Sequence, residues 1–180
     1  IATLGSTPDG GRVETSVLLV ERGAPSPAVA RALELREHDL VWHLERLRRI
    51  GGRPRVLERT ALPIALVPEL DVAHLRAGGS LYGFLAERHG LTADREEQYL
   101  HVASPDPRER RLLQLRGSRP VVRLRGLSVT SADVPFDCFE QVYPASDFVF
   151  YISGRSPGEL HAAGDGIAWH GSPVAGPSAD

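Results

Sequence analysis

Residues 41–63, VWHLERLRRIGGRPRVLERTALP, constrain the chain more than any other stretch, because they read as two strands folded about a glycine turn. A two-residue Gly51-Gly52 loop would set Arg48 opposite Arg55 and Glu45 opposite Glu58, and like charges directly opposed destabilise a strand pair. A three-residue loop, Gly51 to Arg53, instead sets Arg46 opposite Glu58 and Glu45 opposite Arg59. It leaves Arg49 opposite Arg55 as the only like-charge pair, near the turn, and this is the register expected. Side chains alternate along a strand, so Trp42, Leu44, Arg46 and Arg48 then share one face with Val56, Glu58, Thr60 and Leu62. Charges on a half-buried sheet face must be paired or find a ligand. The search for a site therefore starts at Arg46, Arg48 and Glu58, where the plainer alternative is a cross-strand ion pair that contributes little.

At 180 residues, with 42% hydrophobic and 24% charged residues, the chain is long enough for one domain with its own core. All 21 basic residues are arginine, and Met and Asn are absent, which reads as codon bias rather than a physical adaptation. A first residue of Ile1 suggests that a further domain precedes this one. A net charge of −2 and a pI near 6.4 speak against a chain that grips nucleic acid itself. Cys138 stands alone, so no disulfide framework or thiolate metal site is expected, and a cytoplasmic address is natural. No apolar run approaches the roughly 18 residues of a membrane span, and no signal peptide is visible.

Residues 1–11 read as a mobile lead. Residues 12–21 are β-branched and apolar, hence a strand, and Ser26-Pro27 caps a short helix running to Leu35. After the hairpin, residues 71–76 suggest a helical turn. Gly78-Gly79-Ser80 then opens a helix with an apolar stripe at Leu81, Phe84 and Leu85 and a closing Gly90. Residues 92–103 form a charged, then apolar strand. Asp106-Pro107 caps a helix to Leu115, stopped by Gly117. Residues 121–129 and 135–143 are strands, and residues 147–152 add a short last one. From Gly154 to Asp180 the composition predicts a disordered tail. No internal repeat is found. Neighbouring strands with short inserted helices imply an α+β domain, an antiparallel sheet with helices to one side.

Ser80 is the second feature with chemical content. A serine at a helix N-cap after two glycines presents a hydroxyl and free N–H groups at the positive end of the helix dipole, an arrangement that holds anions; the plainer role is simply to cap the helix. Gly154-Arg155-Ser156-Pro157-Gly158 matches the nucleophile-elbow pattern G-x-S-x-G but has no helix behind it, and is set aside as chance. The seven histidines show no metal-ligand spacing, and Glu96-Glu97 reads as a solvated pair in a charged strand.

The order of motifs carries a resemblance. Arg46-Leu47-Arg48, then Gly52, Pro54 and Glu58, Leu62-Pro63, Ser80-Leu81-Tyr82 with Gly90, Leu112-Leu113, Arg119-Pro120-Val121, Pro135 and Tyr143 together resemble the UTRA effector domain of GntR-type transcriptional regulators of the HutC subfamily. The likeness covers residues 12–153. It implies a chorismate-lyase-like antiparallel sheet with helices packed on it. It also implies that operator DNA is bound by a winged helix-turn-helix domain absent from this chain, and that the regulator, a repressor, is a homodimer. In relatives that sense phosphorylated amino sugars, the two arginines and the serine hold the phosphate. Carried over, this assigns Arg46, Arg48 and Ser80 to an anionic group, and Glu58, Tyr82 and Tyr143 to the polar remainder of the ligand. Asp137 stands in the place of a second sugar-binding glutamate, with a shorter reach. Pro144-Ala145-Ser146-Asp147 departs from the usual R-G-D-R-like stretch, which leaves a small carboxylate such as urocanate open beside phosphorylated sugars. No cofactor or metal is implied. A chorismate-lyase-like enzyme on the same fold is the alternative, with no nucleophile–base pair in the sequence to favour it.

Overall fold

In the computed structural model, which describes residues 13–147, the central hairpin pairs β2 (Val41–Ile50) with β3 (Arg53–Pro63). Arg46 lies opposite Glu58 and Glu45 opposite Arg59, as expected. The loop, however, is the two-residue one. Gly51 and Gly52 both take positive φ, 57° and 75°, as the tight primed turn requires. A bulge between Arg48 and Arg49 then shifts the register, so Arg49 faces Pro54 and Ile50 faces Arg53. Arg55 drops out of the ladder and pairs with Asp147 instead. The bulge thus reconciles the favoured turn with the favoured charge register and removes the expected Arg49–Arg55 opposition.

The hairpin supplies the second and third strands of an antiparallel sheet of six in the order β1-β2-β3-β6-β5-β4, with β1 (Val13–Gly23), β4 (Arg95–Ala103), β5 (Val121–Val129) and β6 (Pro135–Pro144). The predicted lead, the tail and all but the first residue of the last predicted strand lie outside the described residues. Among the described residues no helix is long and apolar enough to cross a membrane, and no cluster of His, Cys, Asp and Glu could hold a metal ion.

Helices cover both faces, not one. On the face of Leu44 and Leu62, α2 (Val72–Arg76) and α3 (Leu81–His89) bury Leu75, Leu81, Phe84 and Leu85. On the other face α1 (Pro27–Ala32) packs Val29 and Leu33 against Val41 and Ala61. There α4 (Pro107–Leu112) lays Leu112 and Leu113 on Leu47, Leu57 and Val142. The hairpin is buried on both sides, so burying each of its leucines contributes roughly 1.5–3 kcal/mol.

The chain is also a structural repeat, which the linear reading missed. Ser26-Pro27 and Asp106-Pro107 start α1 and α4, Leu33 and Leu113 cap their ends, and Glu34 and Gln114 both take φ 53°. Leu35 and Leu115 close the two ends with the same bond, to Ala30 and Arg110. The helices accordingly end a turn earlier than expected, at a non-glycine left-handed residue, with Gly117 beyond the stop. Each half is strand, helix, hairpin, and the two meet at β3 and β6. The signal was present as S/D-P followed by L-x-L-R eighty positions apart, too sparse to register without the shared backbone geometry.

Candidate functional site

Alternation brings Arg46, Arg48, Glu58 and Thr60 to the α3 side of the sheet, where they line a cavity of about 370 Å³ with Ser80 and Tyr82. The far wall comes from other strands: Gln141 of β6, opposite Glu58, and Glu96 and Gln98 of β4. Glu96 is therefore not the solvated residue that its charged neighbourhood suggested. Only the period-two pattern of β4, with Glu97 on the other side, could have separated the two glutamates.

One carboxylate serves both arginines. Arg46 Nη2 lies 2.9 Å from Glu58 Oε2, and Arg48 Nε lies 2.8 Å from Glu58 Oε1. The Arg46 and Glu58 side chains are only 5% and 4% exposed, and Arg48 19%. Burial holds the Arg46 pKa below its ordinary value against the attraction of Glu58, and the adjacent Arg48 cation lowers it further. The cluster of two guanidiniums and one carboxylate keeps a formal excess of one positive charge. The buried Arg46 Nε has no hydrogen-bond partner among the described residues. A guanidinium has five N–H donors, so Arg46 keeps donating capacity that Glu58 does not use.

Ser80 is the N-cap of α3, its Oγ accepting from the Gly83 amide at 3.1 Å, and it faces the cavity with Gly78 and Gly79. The two glycines are needed for different reasons. Gly78 has φ 88°, whereas a Cβ on Gly79 would sit 2.2 Å from His74 Nε2. The His74 ring thus packs directly on Gly79, with its Nε2 within 3.4 Å of the Ser80 carbonyl.

The remaining sequence candidates lie deeper. Asp137 is fully buried and does not line the cavity; its Oδ2 accepts from the Tyr82 hydroxyl at 2.5 Å. Burial pushes the Asp137 carboxyl up to about 7, against the opposing pull of Tyr82 and Arg46. Burial, and then the Asp137 charge, raise the Tyr82 phenol above its ordinary range. Tyr143, also off the cavity wall, donates from its hydroxyl to Gln141, whose amide reaches Glu58 at 3.4 Å. Asp137 and Tyr143 thus touch the cavity through Tyr82 and Gln141. Arg49 is on the opposite face, bonded to Ser16 Oγ at 2.8 Å.

A sheet that carries one buried and one half-buried arginine on one wall of a cavity, with a helix N-terminus on another, has a shape and charge suited to a small molecule. The chain belongs to the UTRA domain family, whose model matches residues 9–149. It is 30% identical over 108 residues to the mannosyl-D-glycerate transport/metabolism system repressor MngR of Escherichia coli, covering 60% of this chain and 44% of the repressor. The ligand-binding domain of a Bordetella bronchiseptica protein assigned to the GntR family superposes with a TM-score of 0.75 at 26% identity, over 81% of this chain and 90% of that one. The effector-binding domain of the Bacillus subtilis trehalose repressor shares the fold, with a TM-score of 0.70 and 22% identity over 79% and 97% of the two chains. The chain spans about half the length of the curated relatives it matches. It is an effector-binding domain of the GntR-regulator type.

Proposed function

We propose that this domain senses a small anionic effector, a phosphorylated sugar or a small carboxylate, for a dimeric repressor of the HutC subfamily that acts in the cytoplasm. Operator DNA is then held by a winged helix-turn-helix outside this chain. The observation that carries the reading is the net positive charge that Arg46 and Arg48 keep against Glu58, facing the Ser80 end of α3 across one cavity. In this reading Arg46, Arg48 and Ser80 take the anion. Tyr82, Gln141, Glu96 and Gln98 meet the polar remainder, Asp137 and Tyr143 hold Tyr82 and Gln141 in place, and Glu58 orients the arginines. The role is binding, not catalysis. Chorismate turned over to 4-hydroxybenzoate and pyruvate at an enzymatic rate would overturn that choice.

Phosphate at millimolar concentration should raise the melting temperature more than chloride at equal ionic strength, because a ligand that binds only the native state stabilises it. Arg48→Ala should weaken effector or phosphate binding by roughly 1.5–3 kcal/mol, the scale of a hydrogen bond to a charged group, while Arg49→Ala changes it little. Equal effects from the two would refute the face assignment. The sedimenting mass should be that of two chains at micromolar concentration, with the exposed sheet edges offering surfaces for pairing; a one-chain mass would remove the dimer from the proposal.

A further inference from the structure

On the face of the sheet away from the arginine cavity, the four central strands carry a row of alternating charge: Glu45, Arg59, Glu140 and Arg125. Each is directly opposite the next in the strand register. Their contacts are 3.2, 2.8 and 2.7 Å. The repeat maps Glu45 onto Arg125 and Arg59 onto Glu140, so the row is its own image with the charges inverted.

The helices above the row break that symmetry. At the Glu45 end α4 supplies Arg108, whose Nη2 lies 2.5 Å from Glu45 Oε2. The inverted image would need a carboxylate from α1 for Arg125, but the position equivalent to Arg108 is Ala28. Arg125 is left 60% exposed, and among the described residues its one ion-pair partner is Glu140, reached through Nε. Where the missing side chain would stand there is a cavity of about 610 Å³, bounded by Arg125 and by Ala28, Val29, Ala61 and Cys138. That size is within the ordinary range for small-molecule sites. Glu45 is already held by Arg59 and Arg108, and Glu140 by Arg59, Arg123 and Arg125. Arg59 and Arg108, each paired with Glu45, line the cavity too, as does Glu21 of β1; Arg125 is the most exposed of the three guanidiniums and meets Glu140 through Nε.

We propose that this cavity is a second small-molecule site that takes a compact apolar carboxylate. The carboxylate group caps Arg125 in the place where α1 lacks an acidic side chain, as Arg108 caps Glu45. The apolar body rests on Ala28, Val29, Ala61 and Cys138. The site lies on the opposite face of the sheet from Arg46 and Arg48, so the two can be tested apart.

Benzoate is the probe and benzamide its neutral counterpart. Benzoate should raise the melting temperature of the full chain and slow labelling of Cys138, its single cysteine, by a thiol reagent; benzamide should do both more weakly. Arg125→Gln and Ala28→Glu, the latter supplying the missing carboxylate from the protein, should each weaken benzoate by about tenfold or more, the scale of a lost charge-assisted hydrogen bond. Arg48→Ala should leave the protection of Cys138 by benzoate unchanged, since Cys138 lines this cavity and not the first. Cys138 labelling that is indifferent to benzoate in the unmodified chain would overturn the proposal. So would stabilisation that survives Ala28→Glu and vanishes in Arg48→Ala, since the carboxylate would then sit in the first cavity.

Discussion

Glu58→Gln preserves the shape of the side chain and removes the one negative charge that Arg46 and Arg48 share. Breaking a buried ion pair from one side costs about 3–5 kcal/mol, because the partner is left charged and desolvated. Arg46 and Glu58 meet that condition at 5% and 4% exposure, while Arg48, at 19%, is partly relieved by water. The amide also keeps one acceptor. The lower end of the range, about 3 kcal/mol, is therefore expected for the variant without ligand. An anion in the cavity would replace the missing charge, so phosphate should stabilise the variant more than the wild type. If its Kd tightens tenfold, the gap between the two closes by about 1.4 kcal/mol at saturation. Urea unfolding of both proteins, with millimolar phosphate and with chloride at matched ionic strength, measures each quantity. A ligand-free loss below about 1 kcal/mol, the scale of an exposed pair, would mean the three charges are not buried against one another as described. Equal stabilisation of both proteins by phosphate would mean the anion does not sit at the arginines.

Three further outcomes follow from the same geometry. Burial gives Asp137 a folded pKa of about 7 against an ordinary value of 3.8, so the folded state binds its proton more tightly and this group's contribution is lost as pH rises between those values. Asp137→Asn should flatten that decline in thermal melts and be more stable than wild type near pH 8. Gly79→Ala should cost about 1–3 kcal/mol, the usual scale of overpacking, because its methyl would strike the His74 ring; pairing it with His74→Ala should recover most of that loss in the same unfolding assay. Glu109, with no exposed surface and ion pairs to Arg59 and Arg123, should cost about 3–5 kcal/mol as Glu109→Ala. The loss should be read as faster urea unfolding with phosphate binding intact, since Glu109 faces away from the first cavity.

Successive residues of β3 belong to different clusters. Glu58 gathers Arg46 and Arg48 on one face, and Arg59 gathers Glu45, Glu109 and Glu140 on the other. The strand buries charge on both sides only because each charge meets its opposite across a ladder or from a helix. A one-residue slip would carry every one of these side chains to the wrong face, so the ion pairs fix the register as firmly as the leucines do.

What was legible in the linear chain was whatever depends on neighbours in sequence. The alternation of Arg46, Arg48 and Glu58, the opposition of Glu45 to Arg59, and the Gly-Gly-Ser start of α3 all follow from strand period and cap chemistry over a few residues. The family pattern R-L-R…E…S-L-Y was readable for the same reason. What only the tertiary structure decided are the contacts between elements far apart in sequence. Glu96 and Gln98 join the cavity because β4 comes to the sheet's far edge on the same face. Asp137 turns out to be a buried partner of Tyr82 because β6 runs beneath α3. The bulge beside Arg49 and the helices on both faces belong here too, since a bulge is set by competition between turn geometry and ladder charges, and a helix's side of the sheet by the path of its connections. Periodicity states which residues share a face, but only the folded sheet brings one strand's face up to another's.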